Sequence, residues 1–143
     1  MVPGAAGKMG RMLVRIIAES ANLKLAVALE REGSPALGQD AGLLAGAGVI
    51  GVRISPADAA LDADVIIDFT TPLATVALLQ RAAEARVAAV IGTTGLGDAE
   101  HAAIEKAATE IPIVFSANMS LGVNVMFGLL RQAARALGNE YDI

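Results

Sequence analysis

Gly4, Gly7 and Gly10 recur at intervals of three in Gly4-Ala5-Ala6-Gly7-Lys8-Met9-Gly10, and Glu30 follows about 20 residues later. Glycines with this spacing, at the turn from a strand into a helix, let a diphosphate approach bare backbone N–H groups at the helix N-terminus. An acidic side chain at the end of the next strand can accept hydrogen bonds from an adenosine ribose. The pattern therefore reads as a dinucleotide site. Plainer readings stand beside it. The glycine run also suits a purely structural tight turn, Glu30 and Arg31 a solvated surface pair, and Lys8 an ordinary helix-surface lysine.

The elements that would carry these residues follow from the remaining pattern. In Lys8 to Glu19, apolar Met9, Met12, Leu13, Ile16 and Ile17 fall on one helical face. Leu23 to Leu29 fits strand or helix by pattern alone; its length and the acid that follows favour a strand. From Glu30 to Gly51 the chain is glycine-rich and aperiodic, which predicts a long loop. Val52 to Ile54 is a short strand candidate and Val65 to Phe69 a β-branched buried one. Pro72 suits the first position of a helix running to about Ala85, with Thr71 as its N-cap. A strand at Val87 to Ile91, a helix from Ala99 to about Thr109 capped by Asp98, and a strand at Ile113 to Phe115 come next. The last helix spans Leu121 to Leu137 and ends near Gly138. Alternating strands and helices predict an α/β, Rossmann-type doubly wound parallel sheet, a single domain over residues 1–143.

Only Met1, Val2 and Pro3 precede the glycine turn, where this fold has its central strand, and a mean strand has about five or six residues. Pro3 also lacks an N–H for the ladder. Either the natural chain starts several residues upstream or the strand is unusually short. The first account is favoured, so the first central strand is expected to be truncated.

Composition narrows the function classes. The 143 residues suit one domain with a real core. An apolar fraction of 55%, mostly aliphatic with no Trp and three Phe, matches buried parallel strands under Ala-rich helices. The net charge of −4, with scattered basic residues, argues against a nucleic-acid surface. Zero cysteines exclude disulfides and thiolate metal centres and agree with a cytoplasmic address. No metal site is expected. Every apolar run is broken by Asp, Glu, Arg or Gly before membrane-spanning length, and no secretory leader is visible.

Three further strand ends carry small polar turns: Asp68-Phe69-Thr70-Thr71-Pro72, Gly92-Thr93-Thr94-Gly95 and Ser116-Ala117-Asn118-Met119-Ser120. Ligands of open parallel sheets bind outside the carboxyl ends of the strands. Four segments meeting at one edge carry more weight than any one of them. With Ala28-Leu29-Glu30-Arg31, Ile91 and the continuation Leu121-Gly122-Val123-Asn124, these segments closely resemble the 4-hydroxy-tetrahydrodipicolinate reductase family (older name dihydrodipicolinate reductase). The resemblance runs in order along essentially the whole chain. The glycine motif alone is shared by many oxidoreductases; the Gly92–Gly95 and Ser116–Ser120 turns together are specific.

The resemblance implies NADH or NADPH as cofactor in lysine and diaminopimelate biosynthesis. It implies that the backbone of Gly4, Ala5, Ala6, Gly7, Lys8 and Met9 wraps the diphosphate. Glu30 would hold the ribose hydroxyls and Arg31 would face a 2′-phosphate. Gly92, Thr93 and Thr94 would lie beside the nicotinamide, with Ser116, Ala117, Asn118 and Met119 closing over its carboxamide. The reaction implied is NAD(P)H-dependent reduction of 4-hydroxy-tetrahydrodipicolinate to tetrahydrodipicolinate.

The family also implies a second, mainly β domain, which brings a His-His-x-x-Lys segment and a Ser-Gly-Thr turn for the dicarboxylate substrate. Neither occurs in these residues, and the one histidine, His101, falls in a predicted helix. The expectation is a cofactor-binding half, without catalytic residues of its own, inactive alone and not forming the family homotetramer. Two alternatives remain: another nicotinamide dehydrogenase domain, or a non-catalytic nucleotide module binding NAD or coenzyme A. Several residues have structural readings as well. Asp68 suits a strand end satisfying nearby N–H groups; Thr70, Thr71, Asn118 and Ser120 suit helix caps. His101 reads as surface, and Met9, Met12 and Met126 as core filler. The last helix would leave apolar surface exposed if a second domain normally covers it.

Overall fold

The computed structural model describes residues 1–116 and 118–138. In chain order the elements are β1 (Val2–Pro3), α1 (Lys8–Glu19), β2 (Ala28–Glu30), α2 (Ala41–Ala45), β3 (Ile54–Pro56), β4 (Val65–Asp68), α3 (Pro72–Ala85), β5 (Ala88–Ile91), α4 (Asp98–Ala108), β6 (Ile113–Phe115) and α5 (Leu121–Leu137). β1, β2 and β3 pair in parallel, as do β4, β5 and β6. The two triplets join through β1 and β4. The Ile67 N–H donates to the Met1 carbonyl at 3.0 Å, and the Met1 amino group to the Val65 carbonyl at 2.7 Å. The strand order is therefore β3-β2-β1-β4-β5-β6, reversing between β1 and β4. This is the expected doubly wound sheet, with a two-residue central strand.

Reversal sends the helices to opposite faces. On one face Val14 and Ile17 of α1 pack with Val2, Ala28, Ile54 and Ala41. On the other, Leu78, Leu79 and Ala82 of α3 and Ile104 and Ala107 of α4 pack with Leu29, Ile66 and Ile91. Each fully buried Leu or Ile contributes about 1.5–3 kcal/mol.

α1 turns a different face inward from the one expected. Gly10, Val14 and Ile17 are buried, whereas Met9, Met12 and Ile16 are exposed and Leu13 is half-buried. Gly10 is the reason. A Cβ there would stand 2.0 Å from the Gly4 carbonyl oxygen, so its absence lets α1 lie directly on the β1 turn. Positions 10, 14 and 17 then share the sheet-facing side, and the methionines occupy the neighbouring one. Met9 and Met12 are thus not core filler. Neither is Met126, because α5 buries none of its residues and Leu121, Val125, Phe127, Leu129 and Leu130 are exposed.

Other boundaries shift for local reasons. β2 begins at Ala28 because a strand needs a partner, and β1 offers one only at Val2 and Pro3. β3 begins at Ile54, two residues late. Arg53 bridges antiparallel to Asp40, and the Ala41 N–H donates to the Val52 carbonyl. α4 begins at Asp98 with Gly97 as N-cap, and the Glu100 carboxylate accepts from the Gly97 N–H at 2.8 Å. The expected loop from Glu30 to Gly51 holds α2, five residues with too little length to show a period. Asp40 organises this segment by accepting from the N–H groups of Gly42, Leu43, Ile50 and Gly51.

Two outcomes follow. Gly10→Ala should cost about 1–3 kcal/mol through overpacking against backbone, read as a lowered urea midpoint. Asp40 supplies a pH test. Desolvation pushes its carboxyl up, but the combined N–H groups of Leu43, Ile50, Gly51 and Gly42 outweigh this and hold it below the ordinary carboxylate value. A depressed folded value gives stability that is present above the unfolded value, about 3.9, and is lost as pH falls through the folded one. Asp40→Asn should therefore flatten the acid limb of the stability–pH curve, checked by urea unfolding between about pH 3 and 6.

Candidate functional site

A cleft of about 570 Å³ opens where the strand order reverses, between the turn after β1 and the turn after β4. Gly4, Ala6 and Gly7 line one wall, and Phe69, Thr70 and Thr71 face them. Gly4 adopts φ +62°, a left-handed conformation that suits glycine. A Cβ at Gly4 would also sit 3.0 Å from the Thr70 methyl, so the two turns are nearly in contact. Gly7 caps α1 in an extended conformation, with no side chain accepting from the first helical turn. That turn holds no acidic residue, so its free N–H groups form the positive end of the helix dipole.

Glu30 ends β2 at the mouth of this cleft. Its carboxylate accepts from the Ala6 N–H at 3.1 Å and from the Arg31 N–H at 3.0 Å. Two backbone donors therefore fix the acid beside the glycine turn, with lone pairs left over for another donor. Arg31 is exposed at the rim and, among the described residues, has no ion-pair partner. The far wall is built by Arg81 of α3, whose guanidinium donates to the carbonyls of Ala57, Asp58 and Ala59. Ala74 and Ala77 of the same helix complete an apolar lining.

The turns after β5 and β6 continue the same edge. Thr70 N–H donates to the Thr93 hydroxyl oxygen at 3.0 Å, and Gly92 N–H to the Asp68 carbonyl at 2.8 Å. Gly92 has no room for a side chain; a Cβ would meet the Phe69 ring at 2.2 Å. Thr93 is buried with its side chain turned inward, whereas Thr94 is exposed. Ser116 N–H reaches the Ile91 carbonyl at 3.4 Å. Its hydroxyl donates to the Asn118 carbonyl, and the Asn124 amide donates to the carbonyls of Asn118 and Ser120. Ser120 is the N-cap of α5, and its N–H donates to the Asn118 side-chain oxygen.

Of the residues singled out by sequence, Gly4, Ala6, Gly7, Glu30 and Arg31 line the cleft itself. Ala5 is buried beneath it, donating its N–H to the Leu29 carbonyl. Lys8 and Met9 are exposed at the start of α1. Gly92, Thr93, Thr94, Ser116, Asn118 and Met119 lie further along the edge, and Ala117 lies outside the described residues. Phe69, Thr71, Ala57 and Arg81 were missed as site residues. Thr71 caps α3 as expected, and the 68–72 turn lies at the ligand edge as the sequence pattern implies; what that pattern does not assign is a cleft-lining role for Phe69 and Thr71 individually. Arg81 carries no local signal, because its partners stand 22 to 24 residues away.

Sheet order, reversal point and glycine turn together define a Rossmann-type nucleotide-binding fold. The family can be given more narrowly. A family model described as "Dihydrodipicolinate reductase, N-terminus" matches residues 1–119, and the chain belongs to that family. Proteins named 4-hydroxy-tetrahydrodipicolinate reductase are among its relatives. The one from Methylocella silvestris is 52% identical over 100% of this chain and 53% of its own length. That from Anaeromyxobacter dehalogenans is 49% identical over 100% and 54% respectively. That from Acinetobacter baumannii is 49% identical over 98% and 52%. The chain spans about half the length of the curated relatives it matches. No helix among the described residues is long and apolar enough to cross a membrane.

The tight fit at Gly92 is directly testable. Gly92→Ala should displace the Phe69 ring and lower stability by about 1–3 kcal/mol, measured by chemical denaturation.

Proposed function

We propose that these 143 residues are the NAD(P)H-binding half of a 4-hydroxy-tetrahydrodipicolinate reductase. The observation that carries this reading is Glu30, held by the Ala6 and Arg31 N–H groups at the mouth of a cleft whose floor is the glycine turn. A diphosphate seated at the start of α1 takes the backbone N–H groups of Lys8 and Met9 and the helix dipole, the Gly7 N–H being already given to the Gly4 carbonyl at 2.9 Å. The adenosine ribose then lies against Glu30, which accepts from its hydroxyls. The adenine enters the apolar slot between Ala74 and Ala77 of α3 and the 57–59 turn. Arg31 at the rim matches a 2′-phosphate, which supports use of NADPH as well as NADH.

The nicotinamide belongs further along the edge, toward Gly92–Thr94 and Ser116–Met119. A reduced nicotinamide supplies a hydride from its C4 atom. The turns around it contribute orientation, which can lower a barrier by several kcal/mol, about 7–11 in well-aligned systems. The substrate is an unsaturated dicarboxylate, bound by segments outside these residues. The reaction is its reduction in lysine and diaminopimelate synthesis, in the cytoplasm. On this reading the 143 residues bind cofactor without turning over.

Fluorescence titration tests the binding half of the proposal. NADH and NADPH should both bind saturably. Glu30→Ala should weaken NADH about tenfold, and Arg31→Ala should weaken NADPH more than NADH. A preference for coenzyme A over either dinucleotide would sink the reading. Clear substrate-dependent NADH oxidation by these residues alone would refute the division of labour.

A further inference from the structure

Asp68 is the one polar residue of the otherwise apolar strands β4, β5 and β6, 1% exposed, with Thr75 at 0% and Thr93 at 2% beside it. No cation approaches it among the described residues; its partners are hydroxyls and one backbone amide. Thr70 Oγ1 donates to Asp68 Oδ1 at 2.6 Å, and Thr75 Oγ1 donates to Asp68 Oδ2 at 2.6 Å. The Thr70 N–H reaches both Asp68 Oδ1 and Thr93 Oγ1 at 3.0 Å. Thr75 Oγ1 and Thr93 Oγ1 are 3.0 Å apart.

A hydroxyl has one proton. That of Thr75 goes to Asp68, so the Thr75–Thr93 bond takes its proton from Thr93. The network has a fixed direction: Thr93 donates to Thr75, and Thr75 to Asp68. Thr93 is thereby spent inward. Its side chain offers nothing to a ligand, and only its backbone and the neighbouring Thr94 face the edge. Every buried polar atom of the group is satisfied, and such closed networks fix geometry more than loose polar contacts do.

We infer that Asp68, Thr75 and Thr93 are positioning residues which hold the Thr70 and Gly92–Thr94 turns at one spacing, and so set where a nicotinamide rests. Resting on the dinucleotide reading above, this assigns the β5 turn a register relative to the β4 turn. Thr75 is decisive in this scheme. It lies within α3 and is fully buried, yet it ties the ends of β4 and β5 together.

The test uses the 143-residue chain with NADH and AMP as probes. AMP occupies the adenosine half of the cleft alone; NADH needs both halves. Thr93→Val and Thr75→Val keep side-chain volume and remove the hydroxyl. Each should raise the NADH dissociation constant about tenfold while leaving AMP within about twofold. Thr93→Ser, which keeps the hydroxyl, should bind NADH within about threefold of the parent. Equal NADH affinity in both folded valine variants overturns the inference. So does a loss shared equally by NADH and AMP, which is the mark of general destabilisation. If neither valine variant unfolds cooperatively by circular dichroism, the network serves stability alone and the inference also falls. Failure of the parent chain to bind NADH at all would instead sink the cofactor reading.

Discussion

The molecule depends on the junction between β1 and β4. Two hydrogen bonds, from Ile67 to Met1 and from Met1 to Val65, unite two parallel triplets into one sheet. Right-handed crossovers on either side of that junction must place their helices on opposite faces. α1 therefore leaves in one direction and α3 in the other, and the loops that start them splay apart. The cleft is the gap they leave. No residue has to carve it, which is why small residues dominate its floor. Gly4 and Gly10 let the chain fold back on itself there, and Thr70 closes the opposite side.

Around that gap, polar groups are placed where burial would otherwise penalise them. Glu30 takes two backbone N–H groups, and Asp68 takes two hydroxyls and an amide. The two acids sit at the ends of strands in the two different triplets, but they differ in what remains available. Glu30 is half-buried and keeps acceptor capacity toward the cleft. Asp68 is enclosed and spends its capacity internally. Position in the sheet is similar; depth decides which acid meets a ligand and which holds the frame.

Much of this was legible in the sequence. The doubly wound α/β class, the tight turn at Gly4–Gly10 and the helix from Pro72 capped by Thr71 stand as read, because each rests on local chemistry or on a long period; α2 alone falls outside the expected order of elements. What was not legible depends on partners distant in the chain. The inward face of α1 was misjudged because two apolar stripes lie side by side, and only the Gly10–Gly4 approach selects between them. β2 and β3 shifted because strand limits are set by neighbouring strands. Arg81 stayed hidden, as its value lies in three carbonyls across the fold. The sequence presents Asp68 as a strand-end residue that satisfies N–H groups. It does so for Thr70, yet its larger attachment, to Thr75 seven positions on, was invisible without the helix that brings Thr75 beneath it.

α5 stands apart from the other helices. None of its 17 residues is fully buried and only Val123, Gly128 and Ala134 are partly so, so it lacks most of the tertiary packing that stabilises helices in proteins. Isolated helices shorter than about 12–15 residues are marginal in water even when Ala-rich, and α5 is only slightly longer and carries two internal glycines, Gly122 and Gly128. The Ser120 cap and the Asn124 amide fasten only its first turn. Backbone amides from the middle of α5 onward should therefore trade their protons for deuterium long before those of β4 and β5. A protease meeting the chain would cut within α5 first, releasing a trimmed but still folded sheet.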